Sequence, residues 1–481
     1  MLSRREAVFL IVLFLASLPA VTARLYSSDE VEYFSYLRSL WFDRDVSFEN
    51  EYQYFFDRQI AQSADFHRTF LELQTATGKR INYGTMGCAI LWSPFYAIAD
   101  LGTRVARATG RDIAADGYSR PYVSAVAYGS AFYGFAAIVL AIGAARRITG
   151  GSAVSSGLAV WAGTPLLFYM YIAPPFSHAC SAFAVALFVT VWLRVRGTWS
   201  IPGVVALGLA GALMAMVREQ DIFFVCGPAL DFALQALGSR RRRAMTIAAL
   251  GTAAFALGYL PQLLAYQALY GHPGPSPLVA RTMFWSAPHA LQVLADTQHG
   301  FLFWTPLAVL AFAGLILLTV APRVRPPSVT LGAGAVGPGT APAGPPAGPD
   351  VRRIGACMLL MVALQVYISG AVESWTVAGA FGQRRFVAIT IFLVIGLAAL
   401  TEWLRGTSAR IAASVALVIC IWWNVALMAE FGTSMMDRQR LEIGRNAYDA
   451  FVTLPRMAPG LVYRYFTERS SFYRPAEPPA R

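Results

Sequence analysis

The chain has 481 residues, 56% hydrophobic and only 14% charged, with a formal net charge of +12 that is nearly all arginine, Lys79 being the single lysine. Together with a mean hydropathy of +0.50, this excludes a soluble globular domain and predicts an all-α polytopic membrane protein. Basic loops in such a protein hold topology, so no nucleic-acid partner is expected; the five scattered cysteines (Cys88, Cys180, Cys226, Cys357, Cys420) form neither a disulfide framework nor a zinc spacing.

The first apolar run, Ala7 to Val21, follows Ser3-Arg4-Arg5 without a convincing small-x-small cleavage site, so 1–24 reads as a retained signal anchor. An outer loop, 25–120, comes next and opens with Ser27-Ser28-Asp29-Glu30-Val31-Glu32-Tyr33; ten of the 27 acidic residues fall between Asp29 and Glu72. The spacing Val31-x-x-Phe34-x-x-Leu37-x-x-Leu40-Trp41 is helical and puts Asp29 and Glu30 at a helix start. Two readings stand there: acids that cap the helix and favour its dipole, or a general base whose pKa is raised by a lipid surface and a neighbouring acid. The segment 86–106 is apolar but contains Pro94 and Asp100, and is expected to lie along the outer surface as an amphipathic helix.

Further spans are read at 121–144, 153–172, 179–194, 202–217, 222–238, 245–266 and 302–320, forming a bundle over 121–320. A Pro/Gly/Ala-rich cytoplasmic linker, 321–353, is expected to be disordered. Spans at 354–370, 386–404 and 410–430 make a C-terminal set over 354–431, and 432–481 is an outer tail. That gives about eleven crossings. No internal repeat is visible, which weakens readings that need inverted repeats.

The arginines decide the parity. If 86–106 does not cross, the inner segments carry Arg4-Arg5, Arg146-Arg147, Arg194/Arg196, Arg240 to Arg243, Arg323 to Arg353 and Arg405 to Arg410. The opposite parity would export the Arg240–Arg243 cluster. The amino end is then inside, and His67, His178, His272, His289 and His299 all fall outside, with Glu219, Asp221, Asp296, Glu373 and Asp437. Arginine, alanine, glycine and proline usage suggests a GC-rich bacterial genome, hence a bacterial inner membrane.

A first span followed by an outer Asp-Glu and a long loop of surface helices resembles the GT-C glycosyltransferases, among them protein O-mannosyltransferases and lipid A aminoarabinose transferases. Asn82-Tyr83-Gly84, Pro94-Phe95-Tyr96 and Arg146-Arg147-Ile148-Thr149-Gly150 continue the resemblance, which covers roughly the first half of the chain and extends to the rest mainly by topology. It implies transfer of a sugar from a polyprenyl-phosphate carrier to an acceptor hydroxyl on a lipid, glycan or protein at the outer face, usually with inversion. By the same resemblance Asp29 acts as base, and Glu30 orients the acceptor or helps to bind a metal.

Stabilising the phosphate calls for outer cations. Arg218, in Val217-Arg218-Glu219-Gln220-Asp221, and Arg384-Arg385, in Gly382-Gln383-Arg384-Arg385-Phe386, qualify, since a guanidinium fork grips two phosphate oxygens. Alternatively, Arg218 closes a turn with Glu219 or Asp221, and the arginine pair snorkels. His178 stands at a turn where the resembled enzymes often carry an acid or another polar group, so its role is open among phosphate partner, metal ligand and cap. His299 opens the eighth span in a similar way and joins the candidate phosphate ligands, while Glu32, His178, Glu219 and Asp221 are candidate acceptor-side or supporting groups. No cofactor is required; a divalent metal is possible, though no HxxH or HExxH spacing exists. The outer aromatics Tyr33, Tyr36, Trp41, Tyr52, Tyr54, Phe55, Phe56, Trp285 and Trp375 read as an interfacial belt or, for one or two of them, sugar-stacking rings. The competing functions are a transporter or flippase for lipid-linked saccharides, and a polysaccharide polymerase or ligase.

Overall fold

The computed structural model describes residues 2–60, 65–236, 241–322, 348–377 and 379–472. Among them the secondary structure is helical, apart from two isolated β-bridges. The helices are α1 (Arg4–Ser17), α2 (Ser28–Arg38), α3 (Glu49–Asp57), α4 (Gly87–Ala108), α5 (Arg120–Thr149), α6 (Val154–Gly163), α7 (Leu166–Tyr171), α8 (His178–Val195), α9 (Ile201–Val217), α10 (Cys226–Ala236) and α11 (Arg241–Tyr270). They continue as α12 (Pro277–Arg281), α13 (Ala290–Ala295), α14 (Phe301–Trp304), α15 (Leu307–Val320), α16 (Gly348–Ala371), α17 (Thr390–Trp403), α18 (Thr407–Gly432), α19 (Ile443–Tyr448) and α20 (Leu454–Thr467).

Every apolar run read as a span is, among the described residues, largely helical. Among the described residues six helical segments are long and apolar enough to cross a membrane (Arg120–Thr149, His178–Val195, Arg241–Tyr270, Asp350–Ala371, Arg384–Trp403 and Thr407–Gly432), and α6, α9 and α15 are shorter apolar helices. The third and eighth runs are broken rather than continuous. Directly before Pro165 and Pro306, Thr164 is extended and Thr305 leaves the helical region at φ −134°, ψ 68°, because a proline ring disfavours the helical region for the residue that precedes it. The bundle packs closely where side chains are absent: a Cβ on Gly314 of α15 would lie 1.8 Å from the Gly396 carbonyl oxygen of α17.

The segment from Gly87 to Ala108 is one amphipathic helix. Ile98, Leu101 and Val105 are exposed on one side, while Trp92, Tyr96 and Asp100 are buried on the other, where Asp100 accepts hydrogen bonds from Tyr122 at 2.7 Å and from Arg104 at 2.9 Å. The aromatics of 25–120 do not all form a belt. Tyr36, Tyr52 and Phe55 are fully buried with Phe34, Phe48 and Phe66, packed edge to face as a small aromatic core. The tail folds back as well: Tyr465 donates to the Ala20 carbonyl at 2.7 Å and Arg469 to that of Val21 at 2.7 Å, which puts α20 at the Asp29 end of the molecule. Of the expected linker, 323–347 lie outside the described residues, and the part from Gly348 onward is helix. The reason is charge: Arg353 reaches Asp231 at 2.7 Å, and Arg196 pairs with both Asp231 and Asp350 at 2.8 Å, tying α16 to α8 and α10 at the end opposite Asp29.

Candidate active site

Helix α2 begins as its sequence dictates. Ser27 is the N-cap, its side chain accepting from the Glu30 amide, while the Glu30 carboxylate returns to the Ser27 amide at 3.1 Å and the Tyr26 amide at 2.7 Å. This is a capping box. Glu30 is fully buried, and burial pushes its carboxyl up to about 8. It is thus the structural cap of the helix, and it does not line the cavity that its neighbour faces.

Asp29, one residue earlier, points the other way. Its Oδ2 accepts from Nη1 of Arg384 at 2.6 Å, joining the start of α2 to a 3-10 turn (Arg384–Ile389) that precedes α17. Among the described residues Asp29 is the one hydrogen-bond acceptor Arg384 meets, so most of the guanidinium's five N–H donors remain for a ligand. The guanidinium carbon also lies 5.6 Å over the Phe176 ring. Asp29 and Arg384 border a cavity of about 200 Å³ whose other walls are Tyr26 to Ser28, Phe168, Tyr169, Phe176, Gly379 to Phe381 and Phe431.

Arg218 stands behind the Phe176 turn. Its Nη1 donates to Nδ1 of His178 at 3.0 Å and to Ser177 Oγ at 3.1 Å, so His178 is an acceptor that positions an arginine. Arg385 is buried and clamps Ser374 through its carbonyl at 2.9 Å and its hydroxyl at 3.0 Å. His299, at φ 64°, stacks on Trp304 with 4.8 Å between ring centroids and bonds through Nε2 to the Ala380 carbonyl at 2.9 Å; burial lowers its imidazole to about 4, so it is neutral. Both Arg385 and His299 are engaged with the loop that walls the cavity.

Glu32 is buried and accepts from the Tyr83 amide at 2.6 Å and the Gly84 amide at 3.1 Å. Burial, with the Asp29 charge nearby, raises it to about 8. Its place explains Asn82-Tyr83-Gly84, which folds against α2. Asp221 accepts from Ser181 at 2.6 Å and is pushed up to about 6 by burial; Glu219 turns to Tyr266. Three arginines, Arg218, Arg384 and Arg385, thus gather around the start of α2, and Asp29 is the acid that pairs with one of them directly. Among the described residues no three His, Cys, Asp or Glu side chains converge in a way that could hold a metal.

Sequence reasoning missed Tyr26, Phe168, Tyr169, Phe381 and Phe431. Apart from Tyr26 they lie in or beside apolar runs, where a wall of a cavity and a lipid-facing ring read alike.

No family model and no curated protein matches the chain by sequence. A crystal structure of ArnT from Cupriavidus metallidurans bound to undecaprenyl phosphate superposes over 97% of this chain and 77% of its own, with a TM-score of 0.52 and 13% identity. The two proteins share a fold. This chain is therefore a multi-pass membrane protein with the architecture of ArnT, and the Asp29–Arg384 pair sits within that architecture.

Proposed function

We propose that the chain is a membrane glycosyltransferase that moves a sugar from a polyprenyl-phosphate donor to an acceptor hydroxyl on the extracytoplasmic face. The observation that carries this reading is the pairing of Asp29 with Arg384 at 2.6 Å across 355 residues of sequence, at the mouth of one cavity. The undecaprenyl phosphate in the ArnT structure supports a donor of that class.

In this reading the donor phosphate docks on the unused donors of Arg384, with Arg218 behind it. Asp29 takes the proton of the acceptor hydroxyl as that oxygen attacks the anomeric carbon. The bond from that carbon to the phosphate oxygen breaks, the electron pair leaves with the phosphate, and the guanidiniums stabilise the growing charge. Inversion follows from attack opposite the leaving group. The cations that face the site from this chain are arginines. The test is reconstituted protein given polyprenyl phosphate carrying a radiolabelled sugar, together with a cell-envelope extract. Label should move to an acceptor; protein that leaves all label on the carrier would count against the reading.

A further inference from the structure

The tail carries a helix face that the rest of the protein leaves uncovered. A π-helical turn (Asp449–Thr453) joins α19 to α20, making one helical run from Ile443 to Thr467. Along it two stripes recur at steps of three or four residues, the period of one helix face. Ala450, Leu454, Ala458, Leu461 and Tyr465 form the first, buried or half-buried against the bundle. Tyr448, Phe451, Pro455, Pro459, Val462 and Phe466 form the second and are exposed, Val462 and Phe466 at 57% each. Arg456 and Arg464 are exposed on the remaining side, Arg464 donating to Ser471 Oγ at 3.0 Å, and the sole acid of 450–472 is Glu468.

Contacts fix the depth of this run. Trp422 of α18 donates to the Ala450 carbonyl at 2.9 Å, and Trp423 stacks on Phe451 with 6.5 Å between centroids. Those tryptophans lie about ten residues, roughly 15 Å, before α18 ends at Gly432, so the run starts beside the span and not beyond it. At its far end Tyr465 and Arg469 hold the carbonyls of Ala20 and Val21, just past α1. Both α1 and α18 turn apolar side chains outward, among them Val12 and Leu15, and Val418, Ile419 and Val425. Such flanks on a membrane protein face lipid, and the uncovered stripe continues them at their Asp29 ends. Aromatic and aliphatic side chains beside arginines suit a helix lying in a membrane interface, where arginine is drawn to anionic headgroups.

We propose that the Ile443–Thr467 run is an interfacial helix that seats its exposed stripe among the acyl chains of the leaflet at the Asp29 end, with Arg456 and Arg464 binding the headgroups of anionic phospholipids. The test uses wild type, one copy per nanodisc, in bilayers containing phospholipid with a photoactivatable diazirine in its acyl chain. Mass-spectrometric mapping should find the inserted carbene on Pro459, Val462 and Phe466 and leave Gly460 and Arg464 unmarked; even labelling of the two sets would overturn the interfacial placement. Loss of that label in nanodiscs holding two copies would assign the stripe to a second copy and overturn it equally. With the diazirine on phosphatidylglycerol, label on the stripe should exceed that from phosphatidylcholine about fivefold for each arginine. Arg456→Gln/Arg464→Gln should bring the two lipids level, while Arg456→Lys/Arg464→Lys should keep the preference, because attraction to the leaflet needs only the charge. Equal labelling by both lipids in wild type, or a preference that survives the glutamine pair, would overturn the anionic recognition.

Discussion

Asp29 and Glu30 are adjacent acids with different roles, and the difference is one of direction. At the first turn of a helix successive side chains point about 100° apart, so Glu30 reaches back to the cap while Asp29 faces the cavity. The sequence alone made both readings of the pair legible, cap and base; the folded chain gives the cap to Glu30 and leaves Asp29 facing the cavity, where the proposed chemistry needs a base. Arg384 was legible as a cation on the unexpected side of the membrane; its partner was not, because nothing local links positions 29 and 384. Arg384→Ala should lower transfer about 10²–10³-fold, as loss of a donor to a developing oxyanion does. Arg384→Lys should recover little of it, since an ammonium is a point charge without the guanidinium fork. Steady-state rates with labelled donor check both; activity retained in Arg384→Ala would remove this arginine from the site.

At the scale of elements, α2 is held by two buried acids, which accept hydrogen bonds from backbone amides. Glu30 and Glu32 each titrate near 8 in the folded chain against 4.5 when exposed. Between those values the folded state binds more protons than the unfolded one, so stability falls as pH rises through the window and levels off above it. Thermal unfolding in detergent should therefore give a higher midpoint at pH 5 than at pH 8, and Glu30→Gln/Glu32→Gln should flatten the dependence. An unchanged slope in the double variant would assign it elsewhere. The apolar runs located the helices well because membrane helices must be apolar along their length. The breaks at Thr164-Pro165 and Thr305-Pro306 and the aromatic core of 25–120 were harder to read: the first depend on where proline falls within a hydrophobic run, the second on contacts between distant segments.

The whole molecule has charge at both ends. Beyond the arginine-rich Asp29 end, Arg196, Asp231, Asp350 and Arg353 form a compact network in which Asp231 is fully buried. Asp231→Ala would leave Arg196 and Arg353 with Asp350 as their one shared acid and should cost about 1–3 kcal/mol of stability, measured by denaturant unfolding with donor binding at the far end otherwise intact. The proposed orientation is tested by single cysteines in a cysteine-free background. An impermeant maleimide on intact cells should label position 439 in the tail but reach position 242 only after lysis, and the reverse pattern would turn the protein over.

Transfer of labelled sugar from polyprenyl phosphate by wild type and by Asp29→Asn, each shown to bind sugar-free polyprenyl phosphate equally, tests the central claim most directly. Asparagine keeps the shape of the side chain but cannot take the proton, so the rate should fall about 10²–10⁴-fold with donor-phosphate binding preserved. Transfer by Asp29→Asn at the wild-type rate would contradict the assignment of Asp29 as the base and, with it, the proposed chemistry of the site.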